Sequence, residues 1–222
     1  MLGDLWQSGR LRLGMLEPAS PSGRDAYARA LAGLRKSLAS LAESEDPAVA
    51  APALGLLGRL GGAEETGLLT ERLNAEASAI RAAAVRGLGQ LGDPSGAIQP
   101  LVRAAEDGNF HVRRSACESL ADLATTSLVD EERRQTIVEL LGERLDDDYR
   151  SVRLAAVRGL GRIGGERAAT LLADHLEGLD VELKAEALAA LAGMDADAAK
   201  RAVKSYRDHP DYRLRRAIEG GK

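Results

Sequence analysis

Apolar residues recur along the chain at intervals close to 31 residues, and each recurrence begins the same local pattern. Further apolar residues follow each starting residue, or anchor, at offsets of 4, 8 and 11. These offsets lie on one face of an α-helix, because a helical turn takes 3.6 residues. The anchors are Val49, Ile80, Val112, Val152, Leu183 and Leu214. Each anchor therefore predicts an amphipathic helix, called helix B.

A second apolar stripe precedes every helix B, at 7 and 11 residues before the anchor. Only the last repeat departs from the stripe, where Arg207 takes the position 7 residues before Leu214. The stripe predicts a second helix, called helix A, so the unit is two helices joined by a short turn. The predicted A helices are 24–44, 63–74, 95–107, 131–146, 166–178 and 196–208. The predicted B helices are 46–60, 77–91, 109–124, 149–163, 180–194 and 211–219.

Residues that cap helices stand at the predicted boundaries. A side chain three residues before the anchor can accept a hydrogen bond from a free helical amide, and Asp46, Asn109, Asp180 and Asp211 occupy that position. A glycine twelve residues after the anchor favours a left-handed helix end, and Gly61, Gly92 and Gly164 stand there.

Glycines also lie inside the B helices, where each costs about 1 kcal/mol relative to alanine. Gly58, Gly89 and Gly161 share one offset, and Gly87 and Gly159 share another. We expect close contact between successive B helices to compensate for this cost.

Two segments state the pattern most fully, ASAIRAAAVRGLGQLG at 77–92 and YRSVRLAAVRGLGRIG at 149–164. The B helices follow the motif D-x-x-V-R-x-x-A-x-x-x-L-G-x-L-G, which resembles the HEAT-repeat family in its short bacterial, phycobilisome-lyase-like form. The first B helix lacks the arginine and the fifth carries Lys184 in its place. The resemblance covers about residues 24–219 and implies an all-α, right-handed superhelix of about six helix pairs, with the B helices on the concave side.

The expected organisation is a flexible or loosely docked leader, residues 1–23, followed by the solenoid over residues 24–222. The repeats are expected at 24–61, 62–92, 93–124, 131–164, 165–195 and 196–219. The step from Val112 to Val152 is 40 residues, which places an insertion loop at 124–130. The short sixth helix B predicts exposed apolar surface at the C-terminal end, which would allow an oligomer contact there.

Composition agrees with closely packed helices. Apolar residues make up 45% of the chain but aromatic residues only 3%, so Ala and Leu supply most of the apolar side chains. The net charge of −4 disfavours general nucleic-acid binding, which needs a basic surplus. The chain holds no 18-residue apolar segment and a single cysteine, so we expect a cytoplasmic protein without a membrane span or an intrachain disulfide.

The sequence offers no catalytic group, metal site or cofactor site. Cys117 falls beside the core stripe and is interpreted as a small buried apolar residue. The three histidines, His111, His175 and His209, have no partner at metal-ligand spacing. The acidic triplet at 146–148 is interpreted as helix capping in an exposed turn.

The arginines carry the functional hypothesis, in two sets. One set directly follows the anchors and is implied by the resemblance to form a structural ladder with turn aspartates: Arg81, Arg113, Arg153, Lys184 and Arg215. The other set lies on the helix face opposite the core, which the resemblance places in the concave groove: Arg59, Arg86, Arg114, Arg158, Arg162 and Arg216. The B-helix segments together hold 13 basic and 9 acidic residues, a net charge of +4. The most distinctive pair is Arg158 and Arg162, whose own helix contains no acidic residue.

These observations favour a non-enzymatic scaffold that binds a protein or peptide partner. Because the concave face is expected to be basic, an acidic partner is favoured. Two alternatives stay open. The resemblance suggests a phycobilin lyase or lyase-isomerase subunit, and the basic face suggests a nucleic-acid-binding HEAT-like protein. The insertion and the start of the following helix, residues 124–135, offer an alternative partner site.

Overall fold

A computed structural model describes residues 21–91 and 95–220. Over these residues the chain is entirely helical, with twelve α-helices in six antiparallel pairs. The A helices are α1 (Pro21–Ala42), α3 (Thr66–Glu71), α5 (Ile98–Ala104), α7 (Glu131–Glu143), α9 (Gly165–His175) and α11 (Asp197–Tyr206). The B helices are α2 (Pro47–Leu60), α4 (Ser78–Gln90), α6 (Phe110–Ala124), α8 (Arg150–Ile163), α10 (Val181–Ala192) and α12 (Tyr212–Gly220). Short 3₁₀ turns extend several A helices, as at Arg72–Asn74 and Arg144–Asp146.

The pairs stack in chain order into an α-solenoid, which confirms the predicted fold class. Successive B helices pack along their length, whereas successive A helices touch less, so the stack curves with the B helices inside. The apolar stripes of both layers form one continuous core. Within the described part of the chain, no helix is long and apolar enough to cross a membrane.

The predicted stripes are mostly buried, although four of their positions are only partly buried, at Leu73, Ile163, Met194 and Val203. The anchors of the second to sixth repeats are at most 1% exposed, but Val49 is 36% exposed. In the third repeat the anchor Val112 lines a cleft together with Leu73 and Asn74, which belong to the preceding repeat. No described repeat precedes the first one, so the expectation that Val49 is buried was wrong and Ala50 takes its place in the core.

Small residues allow the B helices to approach closely, as the glycine pattern predicted. An ideal Cβ on Gly58 would lie 2.4 Å from the carbonyl oxygen of Gly87, and one on Gly89 would lie 2.5 Å from the Cβ of Ser119. The same contact joins the later helices, because a Cβ on Gly161 would lie 2.9 Å from the Cβ of Ala190. Each of the first four interfaces between B helices therefore pairs the ninth position after one anchor with the seventh after the next.

The four predicted N-caps are confirmed. The side chains of Asp46, Asn109, Asp180 and Asp211 each accept a hydrogen bond from a backbone amide two or three residues ahead.

The glycine prediction at the helix ends is confirmed at one position and wrong at another. Gly164 has φ +70°, in the left-handed region. Gly61 has φ −85° and is extended. Its lack of a side chain matters for space, since a Cβ would lie 2.5 Å from the Leu57 carbonyl oxygen. Gly92 lies outside the described residues.

The N-terminal boundary of the solenoid differs from the expected one, and the insertion makes contacts that the sequence did not predict. Helix α1 begins at Pro21, so residues 21–23 belong to the first helix, and the rest of the expected leader lies outside the described residues. The insertion is pinned, because the Arg134 guanidinium donates to the carbonyls of Ala124 and Val129 at 2.9 and 3.1 Å.

The C-terminal end does not expose the predicted apolar surface. Leu214 and Ile218 of α12 are 1% and 7% exposed. Both side chains are buried because α12, although short, packs on α10 and α11. The largest exposed aliphatic side chains of the terminal helices lie instead at the other end, in α1, where Leu34 and Leu41 are 46% and 48% exposed.

Candidate partner-binding surface on the concave face

The candidate surface is formed by the outward-facing residues of the B helices. Most of their positions 2, 6 and 10 after the anchors point away from the core, because the apolar stripe occupies the opposite helix face, although Ala82 is buried and Leu154 packs against the core. All six arginines predicted to lie there are exposed: Arg59, Arg86, Arg114, Arg158, Arg162 and Arg216.

A groove of ≈ 690 Å³ opens on this surface across the third, fourth and fifth repeats. It is referred to below as the concave groove. It brings together three of the predicted arginines, Arg114, Arg158 and Arg162, and it does not include the other three. Its acidic lining, which the sequence analysis did not assign to the site, is Glu118 and Glu186.

The rest of the lining is mostly small and apolar, contributed by α8 and α10: Leu154, Ala155, Gly161, Ala189 and Ala190. The outward positions of α10 read Ala185 and Ala189, followed by Gly193 just beyond the helix, where other repeats carry arginine. This absence of bulk was visible in the sequence but was not used to predict a groove. It creates a depression between the charged side chains of the neighbouring helices.

The groove arginines are paired with carboxylates. Arg114 Nε donates to Glu118 at 2.9 Å, and Arg158 Nη2 donates to Glu186 of the next repeat at 2.9 Å. Arg162 is paired with Asp122 of the preceding repeat. The hydrogen bond that Arg158 donates to Glu186 raises the pKa of the Arg158 guanidinium. These pairs are about half exposed, so each contributes little to stability.

The prediction of a basic face at Arg158 and Arg162 is therefore wrong in one respect. Their own helix lacks acidic residues, but α6 and α10 supply Asp122 and Glu186. The tertiary stack neutralises the groove.

Among the described residues, arginines without an ion-pair partner lie at both ends of the surface, two of them at the N-terminal end. Arg59 in α2 and Arg86 in α4 are exposed and make no ion pair or hydrogen bond with any described residue. Neither helix contains an acidic residue. Arg216 in α12 is likewise unpaired within residues 21–91 and 95–220.

The predicted arginine ladder exists and is strongest in the middle of the stack. Arg81 donates two hydrogen bonds to Asp107, at 2.8 and 2.9 Å, and Arg113 donates two to Asp147, at 2.7 and 2.9 Å. Each arginine also binds the carbonyls of the turn before its own helix. The ladder thus ties the turn of one repeat to the turn of the next.

The ladder weakens toward the C-terminal end, where the prediction is only partly right. Arg153 binds its own turn carbonyls but stands 3.8 Å from Asp180. Lys184 reaches Glu177 of its own turn, and Arg215 binds only the carbonyls of its own turn. In the last repeat this follows from position, because the described chain has no further turn beyond it.

Burial opposes ionisation of the two ladder aspartates, but their hydrogen bonds outweigh it. Bonds from Arg81 and the Asn109 amide lower the pKa of Asp107, and bonds from Arg113 and the Tyr149 amide lower that of Asp147. The middle residue of the acidic triplet is thus a ladder partner, with a side chain only 5% exposed.

The sequence analysis missed a second ladder, which is formed by side chains at the ends of the A helices. These side chains contact the preceding repeat, whereas the arginines of the first ladder contact the following one. In four of the six repeats, the residue eight positions before the anchor reaches the A–B turn of the preceding repeat. Arg72 binds Ser44 O at 2.9 Å and Arg144 binds Ala105 O at 3.1 Å. His175 stands 3.5 Å from Asp146, and the hydroxyl of Tyr206 donates to Glu177. Polar residues recurring at one offset were the available signal.

The single cysteine of the chain lies in the core of the stack. Cys117 is fully buried, and burial raises the pKa of its thiol to about 12. No group of three or more potential metal ligands occurs among the described residues.

Comparisons with known proteins give the same fold. The sequence model described as "HEAT repeats" matches residues 67–133 and 123–192. No curated protein sequence matches the chain. Among solved structures, the complex of CpcE and CpcF of phycocyanin lyase from Nostoc sp. PCC7120 is 24% identical with a TM-score of 0.59, covering 72% of this chain and 98% of that one.

Two designed proteins are similar as well. A designed armadillo repeat protein in complex with the peptide (KR)4 is 19% identical with a TM-score of 0.56, covering 83% of this chain and 96% of that one. An engineered protein of the Northeast Structural Genomics Consortium is 23% identical with a TM-score of 0.57, covering 85% and 98%. These likenesses show the fold, and together with the matched repeats they establish that the chain belongs to the HEAT-repeat family.

Proposed function

We propose that this protein is a non-enzymatic scaffold whose concave surface binds a segment of another protein. The observation that carries the proposal is the concave groove, which spans three repeats and joins an apolar lining to exposed charged side chains. Such a mixture is typical of surfaces that bind proteins or peptides, where an apolar centre excludes water and polar groups fix the register. The similar designed armadillo protein, which was solved with a peptide, supports the same use of the fold.

A nucleic acid is a poorer fit than a peptide. Proteins that bind duplex DNA neutralise many phosphates with unpaired basic side chains. The three arginines of the concave groove already have carboxylate partners, so phosphates would have to displace Glu118, Glu186 and Asp122.

The phycobilin lyase alternative rests on a likeness that shows only the fold. The thiol of Cys117, the single cysteine, lies in the core and does not support covalent chemistry at the surface. Co-expression with a bilin and an acceptor protein tests this alternative directly. Transfer of bilin absorbance to the acceptor would replace the scaffold proposal.

Affinity purification from the native cell tests the scaffold proposal with three forms of the full chain. The wild type is compared with a double variant, Arg86→Glu with Ala189→Trp, which changes the concave surface without touching an ion pair. Arg201→Glu in α11 makes the same charge change on an exposed residue of the outer layer.

Proteins recovered with the wild type and with Arg201→Glu should fall at least about tenfold with the double variant, because interfaces depend on a few central residues. Equal recovery with all three forms would contradict a partner site on the concave surface and would point to residues 124–135 or to the convex face.

A further inference from the structure

The concave surface is divided into two parts with different charge. Over the first two repeats, Arg59 and Arg86 are exposed and form no ion pair with a described residue. Helices α2 and α4 contain no acidic side chain that could move to compensate them. Two uncompensated positive charges on an otherwise small-residue surface favour carboxylates on a ligand.

The concave groove, over the third to fifth repeats, has the opposite character. Each of its three arginines already has a carboxylate partner, from Glu118, Glu186 or Asp122. An acidic ligand group would have to compete with these carboxylates, whereas an uncharged group would leave the pairs intact.

The apolar lining of the groove indicates which kind of uncharged group fits there. Ala189 and Ala190 of α10 leave space beside Leu154, within a groove of ≈ 690 Å³. This volume lies inside the range of about 300–1,000 Å³ for sites that enclose a ligand. The space therefore suits a large aliphatic or aromatic side chain with the backbone that carries it, flanked by the Arg158–Glu186 pair.

We propose that the partner presents an extended segment whose acidic residues lie over α2 and α4 and whose large apolar residue enters the concave groove. This inference rests on the proposed function and specifies the chemistry of the partner. The two parts of the ligand must be separated by the distance between the two parts of the surface.

The helix spacing sets that separation. Packed helices lie about 8–10 Å apart, so Arg86 in α4 is about 16–20 Å from the groove at α8, and Arg59 in α2 is about 24–30 Å from it. An extended peptide advances about 3.3 Å per residue, which places the acidic residues about 5 to 9 positions from the apolar anchor.

A random 16-residue peptide library, displayed on phage and selected on the wild-type protein, tests the inference. Enriched peptides are synthesised with a fluorescent label, and their affinities are measured by anisotropy. We expect an enriched large apolar residue with acidic residues about 5 to 9 positions to one side. Replacing the apolar residue by alanine, or the acidic residues by their amides, should each weaken binding about tenfold or more.

Variants of the protein assign the two ends of the peptide. Arg86→Glu should weaken the parent peptide but not the peptide with amides in place of its acids. Ala189→Trp should weaken the parent but not the peptide that lacks the apolar anchor, whereas Arg201→Glu, outside the groove, should leave both unchanged. Circular dichroism of each variant confirms that the helices are intact.

The outcomes separate this inference from the proposed function. Peptides that lose binding with Ala189→Trp but show no acidic preference, or an acidic preference without an apolar anchor, would overturn the inference and leave the scaffold proposal standing. Selection that yields no peptide sensitive to either variant would contradict both. A labelled single-stranded DNA 16-mer that binds more tightly than the selected peptides, and depends on Arg86, would also overturn it.

Discussion

Replacing Gly58 with alanine should destabilise the protein, although alanine is the better residue for a helix. An ideal Cβ on Gly58 lies 2.4 Å from the Gly87 carbonyl oxygen and 2.5 Å from the Gly87 Cα, about 1 Å closer than a relaxed contact. Both atoms belong to the backbone of α4, so no side chain can rotate away. Helices α2 and α4 must therefore move apart, which loosens the packing of the core between them.

Gly55 in the same helix is the matched control. A Cβ there would meet nothing within 4 Å, so the Gly55→Ala change adds helix propensity alone. The expected gain is about 1 kcal/mol. Overpacking a close contact costs about 1–3 kcal/mol, and the rigid backbone partners place Gly58→Ala near the upper end. After the same propensity gain, the net loss at Gly58 is about 2 kcal/mol.

The two alanine variants should thus differ by about 3 kcal/mol in the free energy of unfolding. Urea denaturation followed by far-UV circular dichroism measures this difference by linear extrapolation. In thermal unfolding it corresponds to about 6–12 °C for a chain of this size. Equal stability of Gly58→Ala and Gly55→Ala would refute the argument that close helix contact explains the glycines.

Gly159 gives a graded version of the same test. A Cβ there would lie 3.0 Å from the Cβ of Ala121 and from Cδ1 of Leu141, a smaller overlap than at Gly58, and the leucine side chain can rotate away. Gly159→Ala should therefore cost less than Gly58→Ala, whereas Gly159→Leu should separate the third and fourth repeats and lower the melting temperature clearly.

Three further predictions concern individual side chains. Asp147→Asn should destabilise the protein by about 3 kcal/mol at neutral pH, because it leaves Arg113 without its partner in a mostly buried site. Since the pKa of Asp147 lies below its ordinary value of 3.8, the pair stabilises above that value and the stabilisation is lost as pH falls through the folded-state pKa. The gap between wild type and variant in urea denaturation should therefore narrow in acid, and a constant gap down to the onset of acid unfolding would contradict the pair. Cys117, with a thiol pKa raised from 9.0 to about 12 by burial, should react with a thiol reagent near pH 8 at least about a thousandfold more slowly in the folded protein than in urea, and comparable rates would show that the site is open. Burial and the hydrogen bond to Glu177 raise the pKa of Tyr206 to about 12. The ultraviolet titration curve of the wild type minus that of Tyr206→Phe should therefore show the ionisation of one phenol near pH 12. A difference transition near pH 10 would contradict that hydrogen bond.

Much of the fold follows from short stretches of sequence. The apolar offsets around Val112 or Val152 determine a helix and its buried face locally, since 3.6 residues make a turn. The side chains of Asp46 and Asn109 cap their helices through amides two residues away, so these boundaries were also predictable. The close contacts at Gly58 and Gly161 could be predicted because every repeat places the same offsets at the same interface.

The charge pattern of the candidate site could not be derived in this way. Arg158 is paired with Glu186, 28 residues later, and Arg162 with Asp122, 40 residues earlier. Helical periodicity says that these side chains face outward, but it does not say which residues of adjacent helices oppose them. That depends on how each repeat is rotated and translated against the next.

By itself, the sequence determined the repeat, its two helices, its core and the outward direction of the concave arginines, because these depend on periodicity within one helix. Only the tertiary structure decided that Val49 lacks the cover its relatives have, that the second ladder exists, and that described carboxylates neutralise the groove arginines but not Arg59 and Arg86. These features arise between repeats, where the stacking geometry selects which side chains meet.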